Sequence, residues 1–297
     1  MSNVDLHMHS AHSDDGQFTV LELIKLAEEA HLVFASITDH DSVVAARELF
    51  QYQNFTPIKW LSGVELSVRY EQTDLHLLAY GYDLNDVWFD QHTQRIKTSE
   101  EAATDERIAK INAHFKINLL KPELETFAKG KLITGEIIAE AILLHPEFAS
   151  HPELKAYFPK GNRSKAPLVN FYWDFLSQGK VAYVATNLTP YREAVEAIHK
   201  AGGVAVIAHP GQTIKENTKL LNALIHLGSD GIECYSSYHN DIQNAYYVEY
   251  AVKRKLLVTC GSDFHGKTKP QIKLGQTNSP MDAQDIIKQL ENRGIKL

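Results

Sequence analysis

The sequence predicts an α/β fold, a parallel β/α barrel or open sheet with a helical stretch set into its middle. Three observations carry that prediction. Short apolar runs of β character alternate with amphipathic helical patterns over about the first eighty residues, and again from Val181 onward. Histidines and carboxylates recur in or just after those runs, and in such folds reactive groups gather at the carboxyl ends of strands. Between residues 83 and 180 the alternation stops, and the chain reads as mostly helical and more polar.

In chain order, a first strand over residues 3–7 leads into His7-Met8-His9. Side chains two apart on a strand share a face, so His7 and His9 project together. Asp14 follows on the next loop. Thr19 caps a helix to about residue 31, with Leu21, Leu23, Ile24, Leu26 and Ala27 on its apolar side. The run 33–38 is a second strand ending in Asp39-His40-Asp41, and a helix follows over 42–52. A third strand over 58–64 ends at Glu65, and a fourth over 74–80 contains His76. The middle stretch holds long helical patterns over 90–115 and 132–144, the second capped by Thr134. Prolines at 146, 152, 159 and 167 break up the remainder of that stretch. These boundaries give a barrel domain of residues 1–82 and 181–297, with 83–180 as an inserted helical subdomain.

Alternation then resumes. A helix over 191–201 is stopped by Gly202-Gly203. The strand 204–208 runs directly into His209-Pro210-Gly211. A helix over 216–227, a strand over 231–235 and a helix over 241–254 come next. The strand 256–260 opens into Gly261-Ser262-Asp263-Phe264-His265, a second pair of ligand-type residues two apart, and a helix over 282–293 closes the fold.

Composition excludes several classes. The 297 residues carry 37 acidic and 30 basic side chains, a net charge of -7, which argues against an extended nucleic-acid surface. With two cysteines, Cys234 and Cys260, no disulfide framework is expected, and a reducing cytoplasmic setting fits. No secretory signal pattern is seen at the start, and no run of roughly 18 apolar residues suits a membrane span.

Nine side chains are delivered to one rim: His7, His9, Asp14, His40, Glu65, His76, His209, Asp263 and His265. One histidine near a strand end is commonly just a satisfied hydrogen-bonding residue, but nine imidazoles and carboxylates in this pattern point to metal. Such donors suit manganese, with iron or zinc as alternatives. Three divalent ions with about three protein ligands each leave positions for water and substrate, as catalytic sites do.

The motifs DLHMHS, ITDHD, GVELS, the histidine of DLHLLAYG, IAHPG and GSDFH together resemble the polymerase-and-histidinol-phosphatase (PHP) family, in that family's order. The resemblance implies a distorted (β/α)7 barrel with a trinuclear metal site. It places one ion on His7, His9 and Asp263, lets Glu65 bridge to a second with His76 and His209, and gives a third to Asp14, His40 and His265. The stretches FYWDFLSQGKVAYV and AVEAIHKAGGVAVIAHPG are similar to a bacterial subgroup acting on nucleoside 3',5'-bisphosphates and short RNA 5' ends. That subgroup tends to carry arginines where Gly135 and Glu140 stand here, and a basic residue where Gln212 stands. Lys180 matches and is the candidate substrate contact.

The implied activity is metal-dependent hydrolysis of a phosphate ester of a nucleotide or short oligonucleotide by a metal-activated hydroxide. Three divalent ions outweigh Asp14, Glu65 and Asp263, so the pocket stays positive in an acidic chain. No side chain stands out as general acid. The competing readings are a phosphatase for histidinol phosphate or another small phosphomonoester, and a non-catalytic metal-binding module. Asp39 and Asp41 are read either as acceptors for a ligand histidine's second N–H or as helix caps. Glu233 is read as a similar acceptor, as a hydrogen-bonding partner or as a ligand. Arg163 and Lys165 are read as solvated, His199 as structural, and Tyr235, Tyr238 and His239, which follow a strand end, either as flanking substrate or as core or surface packing residues.

Overall fold

The computed structural model describes residues 2–297. β1 (Val4–Asp5), β2 (Phe34–Ala35) and β3 (Lys59–Trp60) form a short parallel sheet. α1 (Val20–Glu29) joins the first two strands and α2 (Val44–Leu49) leads toward the third. Thr19 starts α1 by a reciprocal cap: its hydroxyl accepts the Glu22 N–H, and the Glu22 carboxylate accepts the Thr19 N–H. Leu23, Ile24 and Ala27 bury the helix against Met8, Ala35 and Ile37.

The strand expected over 58–64 is two strands. The chain leaves β3 and enters β4 at Gly63, so β4 (Gly63–Tyr70) holds Glu65 as an interior residue rather than an end residue. A Cβ on Gly63 would lie 2.2 Å from Ser36 Oγ, so only glycine lets the two segments approach there. β5 (Thr73–Tyr80) then folds back antiparallel on β4, from Gly63 opposite Tyr80 to Tyr70 opposite Thr73. The all-parallel expectation for this half is therefore corrected. Only Glu71 and Gln72 separate the strands, and a parallel connection needs a dozen residues or more.

No strand occurs between β5 and residue 189 among the described residues. α3 (Val87–Phe115) is capped by Asp86 and followed by α4 (Lys121–Ala128), α5 (Gly135–Leu143) and α6 (Pro167–Phe171), with α6 running into a wide turn at Tyr172–Leu176. Ile111, Phe115, Leu124, Ile138, Leu154 and Phe171 bury one another in a core belonging to this stretch.

The remainder alternates as expected. β6 (Thr189–Pro190), α7 (Tyr191–Lys200), β7 (Val204–Ile207), the short α8 (Pro210–Thr213) and α9 (Thr218–His226) come first. β8 (Gly231–Ser236), α10 (Asp241–Lys253), β9 (Leu257–Gly261) and α11 (Ala283–Glu291) complete the chain. The second sheet runs β6-β4-β5-β7-β8-β9, antiparallel at β4-β5 and β5-β7 and parallel elsewhere.

Backbone hydrogen bonds join the two sheets at two places, between the segment after β1 and β9 and between the segment after β2 and β4. Leu6 N–H donates to Cys260 O at 3.0 Å and Asp263 N–H to His7 O at 2.7 Å. On the other side Asp41 N–H donates to Glu65 O at 2.8 Å and Glu65 N–H to Asp39 O at 3.2 Å. Leu6, Phe34, Leu78, Tyr80, Val206 and Cys260 share one buried cluster, which Ile286 and Leu290 of α11 extend. Both cysteines are free and buried. Among the described residues no helix is long and apolar enough to cross a membrane.

Candidate metal centre

Glu65 is the hub of the site. Its Oε2 lies 3.0 Å from His7 Nε2, 3.2 Å from His9 Nε2 and 3.3 Å from His40 Nδ1. Its Oε1 lies 2.9 Å from both His76 Nδ1 and His209 Nε2. The hairpin explains that reach: Glu65 pairs with Leu78 and Ser67 with His76, so Glu65 and His76 are diagonal neighbours on one face. Asp263 Oδ1 stands 3.1 Å from His9 Nε2 and 3.4 Å from His7 Nε2.

The donors fall into three overlapping groups that could each hold a cation: His7, His9, Glu65 and Asp263; His40, Glu65 and His76; and His9, Asp15, His40 and His265. His209 adjoins the second, its Nε2 3.4 Å from His76 Nδ1.

The third group corrects the sequence reading, because it contains Asp15 and not Asp14. Asp15 Oδ2 is 3.0 Å from His265 Nε2 and 3.9 Å from His40 Nε2. Asp14 turns away, and its Oδ1 accepts the Leu132 N–H at 2.9 Å. Burial pushes the Asp14 carboxyl up to about 6. We expect Asp14→Asn to keep turnover within about threefold, since the amide oxygen can still accept that N–H, and Asp15→Asn to lose at least about 100-fold. Steady-state rates of the two variants with manganese check this pair.

The electrostatics of the protein alone are unbalanced. Burial would raise the Glu65 carboxyl, but His7, His76 and His40 outweigh it and hold it well below the carboxylate range. At Asp263 burial is likewise outweighed, first by Lys269 and then by His265 and His7. Burial opposes a proton on His9, yet the neighbouring carboxylates of Asp263 and Glu65 raise it to about 9. Burial pushes His40 down to about 3 against the pull of Glu65. The rings of His9 and His265 stack at 3.9 Å, and those of His9 and His40 sit at 4.4 Å.

Seven buried side-chain atoms at this spot have no hydrogen-bond partner among the described residues: His7 Nε2, both ring nitrogens of His9, Glu65 Oε2, His209 Nδ1, Asp263 Oδ1 and His265 Nε2. Buried polar atoms are rarely left so. Converging imidazole nitrogens and carboxylate oxygens with unused lone pairs fit divalent cations.

The supporting contacts aim the donors. Glu233 Oε1 accepts from His7 Nδ1 at 2.9 Å, which turns His7 Nε2 into the cluster. Glu233 Oε2 accepts the His209 N–H at 2.7 Å. That holds His209 at φ 23°, a strained backbone for a residue with a Cβ. His239 Nε2 accepts the Gly211 N–H at 3.0 Å and so fixes the same turn. His265 Nδ1 donates to Asp263 O at 2.9 Å, leaving Nε2 for Asp15. Glu233 is thus the acceptor the sequence allowed, and His239 does more than pack.

Other expectations fare differently. Asp39 accepts the Ser10 N–H and hydroxyl at 2.5 and 2.6 Å. Asp41 accepts the Ser67 N–H at 2.6 Å and a bond from His92 Nε2 of α3 at 2.6 Å. Neither orients His40, and neither caps α2, whose cap position is Val43. Arg163 is held by Asp174 at 2.7 Å, and His199 by Asp230 at 2.7 Å. Lys180 lies exposed on the turn after residue 176, and among the described residues no hydrogen bond or ion pair ties its side chain to the cluster. No motif or periodicity had singled out Lys269, whose Nζ lies 2.6 Å from Asp263 Oδ2.

The model of the PHP domain family matches residues 5–295. The chain belongs to this family. A 3',5'-nucleoside bisphosphate phosphatase of Chromobacterium violaceum is 27% identical over 300 aligned residues, covering 100% of this chain and 99% of that protein. The 5'-3' exoribonuclease Rnm of Escherichia coli is 25% identical, with 92% and 88% covered. Among solved structures, an amidohydrolase from Chromobacterium violaceum with bound sulfate and no metal superposes with a TM-score of 0.80 at 25% identity, covering 98% of this chain and 97% of that one. A metal-dependent phosphoesterase from Bifidobacterium adolescentis shares the fold, with a TM-score of 0.77 at 24% identity and 99% and 97% covered. The PHP chain is a metal-dependent phosphoester hydrolase.

Proposed function

We propose that this PHP phosphoesterase hydrolyses a phosphate ester of a nucleotide or short oligonucleotide with three divalent ions bound. The reading rests on one observation: three donor groups are linked pairwise by Glu65, His9 and His40, and seven buried atoms of the cluster have no hydrogen-bond partner among the described residues. His7, His9, Glu65 and Asp263 would hold the first ion, Glu65, His76 and His209 the second, and Asp15, His40 and His265 the third. Manganese suits this donor set, and iron or zinc is also compatible with it.

The ions, when bound, supply an acidified water as nucleophile and relieve charge on the phosphoryl oxygens. The chain's own part is placement. Against burial, the histidines around Glu65, and Lys269 with His265 and His7 at Asp263, hold both carboxyls low, which favours the anionic form that a cation needs. Glu233 and the Asp263 carbonyl fix which ring nitrogens of His7 and His265 face the pocket. The burial of these donors excludes bulk water from their far side.

The same reading takes the two sheets as one distorted seven-stranded barrel, supported by the bonds from Leu6 to Cys260 and from Asp41 to Glu65. It takes residues 83–180 as an inserted subdomain, supported by the separate core around Phe115 and Phe171. A nucleotide substrate is supported by the activities for which the Chromobacterium and Escherichia relatives are named. Sulfate, bound in the Chromobacterium structure, has the shape and charge of a phosphoryl group.

A small phosphomonoester is the second reading, and α5 favours it. Gly135 packs against Tyr172, where a Cβ would sit 2.9 Å from Cδ2, and Glu140 is tied to Lys267 at 2.9 Å, so α5 offers no arginine clamp. The test is a panel of esters with the manganese-loaded enzyme: adenosine 3',5'-bisphosphate, a 5'-phosphorylated RNA trimer, histidinol phosphate and p-nitrophenyl phosphate. We expect kcat/KM for one of the first two to exceed that for histidinol phosphate by at least about 100-fold, the worth of roughly 3 kcal/mol in the transition state. The reverse order would establish the second reading.

A further inference from the structure

Asp263 uses its two oxygens differently. Oδ1 faces His7 and His9 and has no hydrogen-bond partner among the described residues. Oδ2 accepts from the Tyr238 hydroxyl at 2.5 Å and from Lys269 Nζ at 2.6 Å. The two donors also face each other, with Lys269 Nζ 5.5 Å from the Tyr238 ring centre. Tyr238 packs edge-on to His209 at 5.9 Å, and only 13% of the Lys269 side chain is exposed. A buried lysine is costly unless it is paired, so an ammonium beside a cation site is held there by specific contacts. Two elements supply them: Tyr238 from the segment after β8, and Lys269 from the segment after His265.

We propose that Lys269 and Tyr238 are positioning residues that confine Asp263 to a single ligating oxygen. A free carboxylate can bind a cation through both oxygens. With Oδ2 held by an ammonium and a phenol, only Oδ1 is free, and one more coordination position is left for water or substrate. The ammonium also lowers the local affinity for a divalent ion by direct repulsion. The brace therefore trades tightness of metal binding for an open position. This inference rests on the proposed metal-dependent function.

That trade predicts opposite movements, which ordinary structural damage would not give. The full chain is stripped of metal and titrated calorimetrically with manganese, and p-nitrophenyl phosphate hydrolysis is followed at saturating manganese. Lys269→Met is expected to tighten the strongest manganese step about tenfold and to lower kcat about tenfold or more. Its KM should stay within about threefold. Lys269→Arg, which keeps charge and donor, should restore both values. Tyr238→Phe should lower kcat in the same direction with a smaller effect.

Manganese binding that weakens in step with kcat would overturn the proposal, as would a titration and rates that do not move. A rise in KM of tenfold or more with an unchanged titration would also overturn it and assign Lys269 to the substrate's phosphoryl group. Should Lys269→Met fail to fold by circular dichroism, Lys269→Gln carries the same test. A wild-type chain that binds manganese but turns over no ester would end the functional reading alone. One that turns over esters with a titration insensitive to Lys269 would end this inference alone.

Discussion

Glu65→Gln is expected to abolish detectable turnover, a loss of at least about 1,000-fold in kcat or roughly 4 kcal/mol. It should also remove most of the manganese that survives gel filtration. Both carboxylate oxygens are engaged, Oε2 toward His7, His9 and His40 and Oε1 toward His76 and His209. An amide is isosteric but neutral, and its nitrogen end cannot bind a cation. The substitution would therefore remove the shared ligand of two donor groups while changing almost no volume. Metal content by elemental analysis and rates on the ester panel check the two halves separately. A variant keeping full metal content and a tenth of the rate would refute the bridging role.

Gly261→Ala is expected to destabilise the fold by about 3 kcal/mol or more, through overpacking with no route of escape. A Cβ at this position would lie 2.1 Å from the Cβ of His7, 2.3 Å from Glu233 Oε1 and 3.0 Å from the His7 backbone nitrogen. β9 must pass this close to the His7 segment, because Asp263 N–H reaches His7 O two residues on. Relief would require moving His7 off Glu233, which un-aims the first donor group. We expect the melting temperature to fall by about 5 to 10 °C, and manganese affinity to fall with it. Differential scanning calorimetry with and without manganese measures both, and a melting temperature within about 1 °C of wild type would refute the packing argument.

The periodic part of the site could be read from the sequence. His7 and His9 share a strand face, and His209 and Asp263 follow apolar runs that are strands in the structure. What could not be read was decided by single turns. Asp14 and Asp15 are neighbours in a loop, and spacing alone cannot say which turns inward. The choice was made by the Leu132 N–H, 118 residues away. The β4–β5 hairpin left a trace in the two-residue gap at Glu71 and Gln72, but a third strand placed at 58–64 hid it. That strand ends at Glu65 in the sequence pattern, although the place of Glu65 inside β4 is what brings it diagonal to His76. Lys269 had no signal, since a lysine four positions past His265 belongs to no periodic element.

The two segments that meet at the site come from distant parts of the chain. His7 is hydrogen-bonded to Glu233, 226 residues later, and Asp5 accepts the Ser262 N–H, 257 residues later. During synthesis, His7 and His9 leave the ribosome long before their partners exist. At about 5 to 20 residues per second, the early histidines remain without that carboxylate neighbour for tens of seconds or less. Any cation they capture in that interval is held by a partial set of donors and is readily lost. An ion held by the full set of donors would accordingly be one bound after the last strand has docked, from the metals then available.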